Sequence, residues 1–300
     1  MNGIDCLLVK AGAEIGIKSL PVRRKIVQRL KDNLRMALKK NRCAFETVKS
    51  TGLVLHVDGV NPREAVPILQ RVFGVNSVIH AKRFADPTLD RVCEKALPFA
   101  LARVNAGTQF AVRAHRVGKH AFSSKDIEVK LGRMVLDAQP NAKVNLDHPD
   151  AVIEVEVRDE TFYLCVEERP GPGGYPVGVQ GNVGVFFEGN PLEVFAAWLV
   201  MKRGCTVYPI VAGDETKVAA LLARLVPWNS GMQFKAYPAS RLAQAIEAEG
   251  LTALVKADDT PDVQAMQAFD GTVPLPVLRP LLLYPEGLAK AQRQLIEALP

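Results

Sequence analysis

Three hundred residues, 48% of them hydrophobic and 23% charged, with no low-complexity tract, read as two or three compact globular units. The net charge of +6 is unevenly placed: residues 10–42 carry 11 basic and 2 acidic side chains, whereas residues 183–300 are slightly acidic. Apolar runs stay short of the roughly 20 residues a membrane span needs, and the scattered cysteines (5) and histidines (5) argue against a disulfide framework or a metal cluster.

The opening "MNGIDCLLVKAG" has no basic flank, apolar stretch or small-residue cleavage site of a secretory signal, so a cytoplasmic protein with reduced thiols and no membrane partner is expected. The basic N-terminal part is open to two readings, a surface that meets a polyanion such as nucleic acid or simply a solvated face.

The chain starts with an alternating strand, "GIDCLLVKAG", and runs into "SLPVRRKIVQRLKDNLRMALKKN". There Val22, Ile26, Leu30, Leu34 and Leu38 recur every four residues and define one helical stripe, supported by Val27 and Ala37. Strands are expected at "FETVKSTG" and "LVLHVDG", then a helix in "NPREAVPILQRVFG" capped by Asn61 with Pro62 at its first position. Strand–helix–strand–strand–helix is a small α+β layer of ferredoxin-like type.

A second unit is expected from about Ser77. A helix around "LDRVCEKALPFALARV" precedes the strand "TQFAVRAHRVG", with Phe110, Val112 and Ala114 on one face and Arg113 and His115 on the other. The helix "SSKDIEVKLGRMVLDAQ" follows, with stripe Ile127, Leu131 and Val135, and then a hairpin, "AVIEVEVRDETFYLCVEE", turning at Asp159 and Glu160. The stretch "RPGPGGYPVGVQG" has the composition of a linker. From Val183 the grammar changes to alternating strands ("VGVFF", "CTVYPIV", "MQFKAYP", "TALVKA", "VLRPLLL") and helices near 191–203, 214–225, 240–249 and 286–299. That alternation describes an open, mostly parallel, Rossmann-like α/β sheet.

In "VRAHRVGKHAFSSKDIEVKLGR", Arg113, His115, Arg116, Lys119 and His120 crowd a strand end and its loop just before a serine-capped helix start. Cations beside free backbone N–H groups suit a phosphate backbone, and Phe122 and the histidines suit an unpaired base. A polar loop over an ordinary helix start explains the same residues.

Several of these stretches together resemble the tRNA 4-thiouridine synthetases, or tRNA sulfurtransferases. "AEIGIKSLPVRRKIVQRLKDNLRMALKK" is similar to that family's opening, with its EI-x-IK-S pattern. "FAVRAHRVGKHAFSSKDIEVKLG" and "LDHPDAVIEVEVRDETFYL" resemble its THUMP domain, "GPGGYPVGVQG" its linker, and "MKRGCTVYPI", "LTALV" and "VLRPLLLYP" its catalytic domain. The resemblance implies an α/β and α+β multidomain chain. Its parts would be a ferredoxin-like domain (1–76), a THUMP domain (77–168), a linker (169–182) and an α/β domain of the PP-loop ATP-pyrophosphatase type (183–300). It further implies tRNA as partner, engaged at the acceptor end, with Lys18, Arg23, Arg24, Arg113, Arg116, Lys119 and Lys125 as RNA-binding positions. A homodimer, and a sulfur-transfer or RNA-modification protein as a further partner, stay open.

The family uses ATP and Mg at a loop reading S-G-G-x-D-S. Here the corresponding residues are Glu188, Gly189, Asn190, Pro191, Leu192 and Glu193. Asn190 suits a helix N-cap, Pro191 the first helical position, and Glu193 the third, which is a capping box. Such a box occupies the backbone N–H groups that a phosphate needs. Each carboxylate set about 4 Å from a phosphate charge costs on the order of 4 kcal/mol at an effective dielectric near 20. The family's glycine- and glutamate-bearing motif after "ALV" reads "KADDTPD", and its sulfur-relaying cysteine would fall beyond the last residue given; Cys205 is expected in a core. The reading is therefore a tRNA-binding pseudoenzyme with a degenerate nucleotide loop and no bound cofactor. The alternative is an active sulfurtransferase whose sulfur-carrying cysteine comes from a partner.

Overall fold

A computed structural model of the chain describes residues 3–287 together with 290 and 294. The ferredoxin-like part begins with β1 (Ile4–Ala11), a single turn α1 (Ala13–Gly16) and the long helix α2 (Leu20–Lys40). On α2 the stripe is buried at Ile26, Leu30, Leu34 and Leu38, but Val22 is 45% exposed. Val22 lies in the first turn, just after Pro21, before the helix has come over the layer beneath it. The hairpin β2 (Thr47–Thr51) and β3 (Val54–Asp58) leads to α3 (Pro62–Leu69). Asn61 caps α3 as expected, its side-chain oxygen accepting from the Arg63 N–H at 3.1 Å.

Next comes β4 (Val75–Ala85), a strand the sequence reading did not separate out. It supplies the last element of a βαββαβ order.

The remaining elements follow as α4 (Leu89–Leu101), β5 (Gln109–Val117), α5 (Ser124–Ala138), β6 (Lys143–Val144), β7 (Ala151–Arg158) and β8 (Thr161–Pro170). The last region holds β9 (Asn182–Phe187), α6 (Leu192–Lys202), β10 (Thr206–Val211), α7 (Glu215–Leu225) and β11 (Tyr237–Pro238). It continues with α8 (Leu242–Glu249), β12 (Leu251–Val255), α9 (Val263–Asp270) and β13 (Val277–Leu278). The helix expected at 286–299 lies mostly outside the described residues.

The chain forms two compact units, and β1 and β4 each contribute one end to both. The first runs up to Leu8 and from Ile79 to Glu168. Its strands neighbour one another in the order β4-β8-β7-β5-β6, with β5 parallel to β6 and β7, and β7 antiparallel to β8. The helices α4 and α5 close its core through Val92, Ala96, Ile127, Leu131 and Val135 against Phe110, Ile153 and Phe162.

The second unit joins Val9–Val78 to the residues from Arg169 onward. It contains the run β2-β3-β1-β4 and a separate parallel sheet in the order β11-β10-β9-β12-β13. Its main core is built round Phe73, Trp198 and Trp228, whose ring centroids lie 5.2–5.6 Å apart. These three rings tie the ferredoxin-like segment to the α/β segment inside one unit. Two expected strands are much shorter than read. "MQFKAYP" pairs only at Tyr237 and Pro238, and "VLRPLLL" only at Val277 and Leu278. Both lie at sheet edges where Pro238, Pro276 and Pro280 cannot donate to a ladder.

Candidate functional site

In the parallel sheet β9 is central, and the connection reverses direction between β9 and β12. Open α/β sheets bind ligands where the loops leave the carboxyl ends of strands at such a reversal. The loop leaving β9 is 188–191, and the one leaving β12 begins with Lys256. This is the place where a phosphate would be held.

The loop N–H groups are already taken. Glu193, 4% exposed, turns its carboxylate back under the loop and accepts from the Glu188 N–H at 2.8 Å and the Gly189 N–H at 3.1 Å. It also accepts from the Asn190 N–H. Gly189 has φ +106°, a conformation costly for other residues, and this lets successive amides converge on one point. Asn190 accepts from the Leu192 N–H at 3.0 Å, and the Glu193 N–H donates to the Asn190 carbonyl at 3.0 Å. The helix starts one residue later than the sequence suggests, with Pro191 as the half-in residue.

Burial raises the Glu193 carboxyl above its ordinary pKa, against the three N–H bonds that pull it down. Gly213 packs so closely on this loop that a Cβ there would come within 2.2 Å of the Glu188 carbonyl oxygen.

Glu188 is not the bare charge the sequence suggests. Lys256 reaches across from the end of β12 and pairs with it at 2.8 Å. The same ammonium lies 4.6 Å from the Phe269 ring centroid and 5.9 Å from that of Phe186. Charge repulsion at Glu188 is therefore largely compensated, and the filled amides of the loop are the stronger obstacle to an anion. Lys256 was legible only as a departure from a family pattern. Its partner could have been inferred from a lysine directly after a strand that adjoins β9.

The positions expected to bind RNA divide between the units. In the first unit Arg113, exposed on β5, donates to the Leu146 carbonyl, and Arg116 donates to the Gly118 carbonyl at 2.7 Å. Lys119 is exposed in the loop. Lys125 stands in the first turn of α5, its side chain 69% exposed and 3.5 Å from Glu128. His120 bonds the Asp159 carbonyl at 2.7 Å, its ring 5.4 Å from Phe122. The α5 start is closed by Ser123 and Asp126 in a reciprocal capping box. Cations and a ring thus surround this helix start, but its own amides are partly used.

In the second unit Lys18 lies 5.6 Å from the Tyr175 ring centroid, and Arg24 is exposed. Arg23 donates to the carbonyls of Gly16 and Lys18 at 2.5 and 3.1 Å, so its guanidinium fastens the corner between α1 and α2. Cys205 is half-buried against the second unit's core, and burial pushes its thiol pKa up. Among the described residues no two cysteines form a disulfide, no His, Cys, Asp and Glu cluster could hold a metal, and no helix is long and apolar enough to cross a membrane.

Comparison with known proteins places these features. The model of the ThiI ferredoxin-like domain matches residues 6–78, and that of the THUMP domain residues 87–167. A probable tRNA sulfurtransferase of Methanosarcina mazei is 32% identical over 245 residues, covering 78% of this chain and 60% of that protein. A tRNA sulfurtransferase of Desulfurococcus amylolyticus is 33% identical over 222 residues, covering 72% of this chain and 45% of that one. The chain thus spans about half the length of these curated relatives.

Among solved structures, PH1313 of Pyrococcus horikoshii Ot3 superposes with a TM-score of 0.86 at 26% identity, over 98% of this chain and 100% of that one. A 4-thiouridine synthetase solved with RNA and ATP gives 0.78 at 18% identity over 99% of this chain and 86% of that one, which establishes the shared fold. The fold is that of a THUMP protein with a ferredoxin-like domain before it and a parallel α/β sheet after it. The chain carries a ThiI ferredoxin-like domain and a THUMP domain and is similar to tRNA sulfurtransferases over most of its length.

Proposed function

We propose that this chain binds tRNA through its ferredoxin-like and THUMP domains and does not itself adenylate or thiolate it. The α/β domain is then a degenerate PP-loop domain that serves as a packing or docking module and takes no nucleotide. One observation carries the reading: the Glu193 carboxylate sits on the amides of residues 188–190, where a phosphate would have to bind. A bound phosphate would have to expel a buried carboxylate that accepts three N–H bonds, and those bonds have no replacement elsewhere in the loop. The tRNA surface is assigned to Lys18, Arg24, Arg113, Arg116, Lys119 and Lys125, with Arg23 holding the backbone that presents Lys18.

The test is pyrophosphate release from Mg-ATP, measured with tRNA shown to be bound in the same sample. We expect release at the protein-free background. Turnover above it means that Glu193 leaves the loop and that the chain, alone or with a sulfur-donating partner, is an active synthetase.

A further inference from the structure

A cleft of about 360 Å³ beside α2 contains the Lys235–Glu249 ion pair, and another on α5 has a mostly apolar lining. A third cleft differs. It has a volume of about 530 Å³ and lies in the second unit at the carboxyl end of α6. The 11 residues of α6 separate it from the filled loop by roughly 15 Å.

Four stretches singled out in the sequence meet here although the loop uses none of them. Glu14 comes from "EIGIKS", Tyr175 from "GPGGYP", Lys202 and Arg203 from "MKRGC", and Tyr284 from "VLRPLLLYP".

The charges in this cleft do not balance. The Lys202 ammonium lies 5.3 Å from the Trp198 ring centroid and has no hydrogen-bond or ion-pair partner among the described residues. Half-burial lowers its pKa, with Arg203 adding to the effect and Glu14 opposing it. Glu14 is the acidic group of the lining, and one of its oxygens already accepts from the Gly174 N–H at 2.5 Å. Lys18 adds a further cation over the outer tyrosine. Below, the indole N–H of Trp198 is buried without an acceptor. A half-buried ammonium beside a guanidinium, faced by the single carboxylate of Glu14, leaves an excess of positive charge that suits an anion. Tyrosine rings from two different segments suit the flat face of a base.

We propose that this cleft holds one unpaired nucleotide of a bound RNA strand, its phosphate on Lys202 and Arg203 and its base against Tyr175 or Tyr284. The proposal rests on the RNA-binding reading above and adds a contact in the second unit to those of the THUMP domain's basic loop. The same chemistry would suit a free nucleotide, so both sources are tested.

The variant is Lys202→Gln with Arg203→Gln, and the control is Lys217→Gln with Arg241→Gln, two exposed cations outside the cleft. Thermal midpoints confirm that both are folded. The cleft variant is expected to bind tRNA about tenfold more weakly, and its log affinity against log salt to flatten by about 0.7, the value for one single-strand phosphate contact. The control keeps the wild-type affinity and slope. Ultraviolet cross-linking of wild-type protein to tRNA is expected to modify a peptide containing Tyr175 or Tyr284.

Unchanged affinity and slope in the cleft variant, with wild type binding tRNA, overturn the cleft and leave the RNA-binding reading standing. A wild type that binds no tRNA overturns both. Binding of AMP or UMP alone that the cleft variant loses, with its tRNA affinity intact, assigns the cleft to a free nucleotide and overturns the RNA contact.

Discussion

The starts of α5 and α6 solve one problem with opposite electrostatics. At α5, Asp126 accepts from the N–H and the hydroxyl of Ser123 while open to water, and these bonds hold its carboxyl below the ordinary range. At α6, Glu193 accepts from three successive amides, yet its carboxyl is pushed above the ordinary range because it is buried. Hydrogen bonds of similar kind pull both pKa values down, and solvent access decides the sign of the result. The first is a helix cap beside a basic loop that stays accessible to a ligand. The second fills the loop's own amides, because the carboxylate lies inside the loop.

The largest expected effect comes from emptying the α6 loop. Glu193→Ala leaves the partly buried N–H groups of Glu188 and Gly189 without that acceptor and should cost about 1–3 kcal/mol, reduced by whatever water enters. Ser123→Ala removes an exposed cap and should cost about 1 kcal/mol. The two can be read separately because both tryptophans, Trp198 and Trp228, sit in the second unit's core. Urea unfolding followed by tryptophan fluorescence should shift for Glu193→Ala and stay in place for Ser123→Ala, whose loss appears in far-ultraviolet circular dichroism. Equal shifts in both signals for both variants would mean that the two units unfold as one.

Acidification sharpens the same contrast. Asp126 has a folded-state pKa below its unfolded value of 3.8, so its contribution is present above that pH and is lost as pH falls through the folded value. Glu193 has a folded-state pKa above its unfolded value of 4.5. Its ionisation therefore removes stability as pH rises from 4.5 through the folded value, and acidification across that window restores it. The fluorescence-detected midpoint should accordingly rise on acidification from the folded pKa down to 4.5 in wild type. Glu193→Gln should abolish that rise, while Asp126→Asn should leave it untouched. A wild-type midpoint that falls steadily across the window would show that the three N–H bonds outweigh burial.

The sequence was most informative where local chemistry decides structure. Asn61 followed by Pro62 located the start of α3 to the residue, and Ser123 and Ser124 marked the start of α5, because caps are set by near neighbours in the chain. The filled loop was legible in part. Asn190 and Glu193 announced a capped helix, but the reach of Glu193 back to Glu188 depends on the turn at Gly189, which spacing alone does not give. The Glu188–Lys256 pair was not legible, since 68 residues separate partners that only the strand order β9-β12 brings together. The strand β4 was missed because its run of buried residues is broken by His80, Lys82 and Arg83, which read as a boundary. His80 and Lys82 are explained by Asp5 of β1, which bonds both. The helix α9 follows directly on the charged stretch 256–262, and its start is marked by Asp262, which caps it by accepting from the Ala265 N–H at 3.0 Å.

The smallest effect separates charge from geometry at the loop. Lys256→Met keeps the aliphatic stem against Phe269 and removes the cation from Glu188, whose side chain is 50% exposed. Because water screens that carboxylate, the cost should be about 0.5–1 kcal/mol, part of it from the lost cation–ring contact. If the amides filled by Glu193 are the barrier to an anion, this variant should still fail to bind pyrophosphate in calorimetry, and so should Glu188→Gln. Glu193→Ala, with its amides freed, should bind it weakly and in a salt-dependent way. Binding gained by Glu188→Gln alone would move the barrier from the occupied amides to the charge at the loop's rim. The contrast between the two helix starts would then rest on net charge and not on which groups fill the backbone.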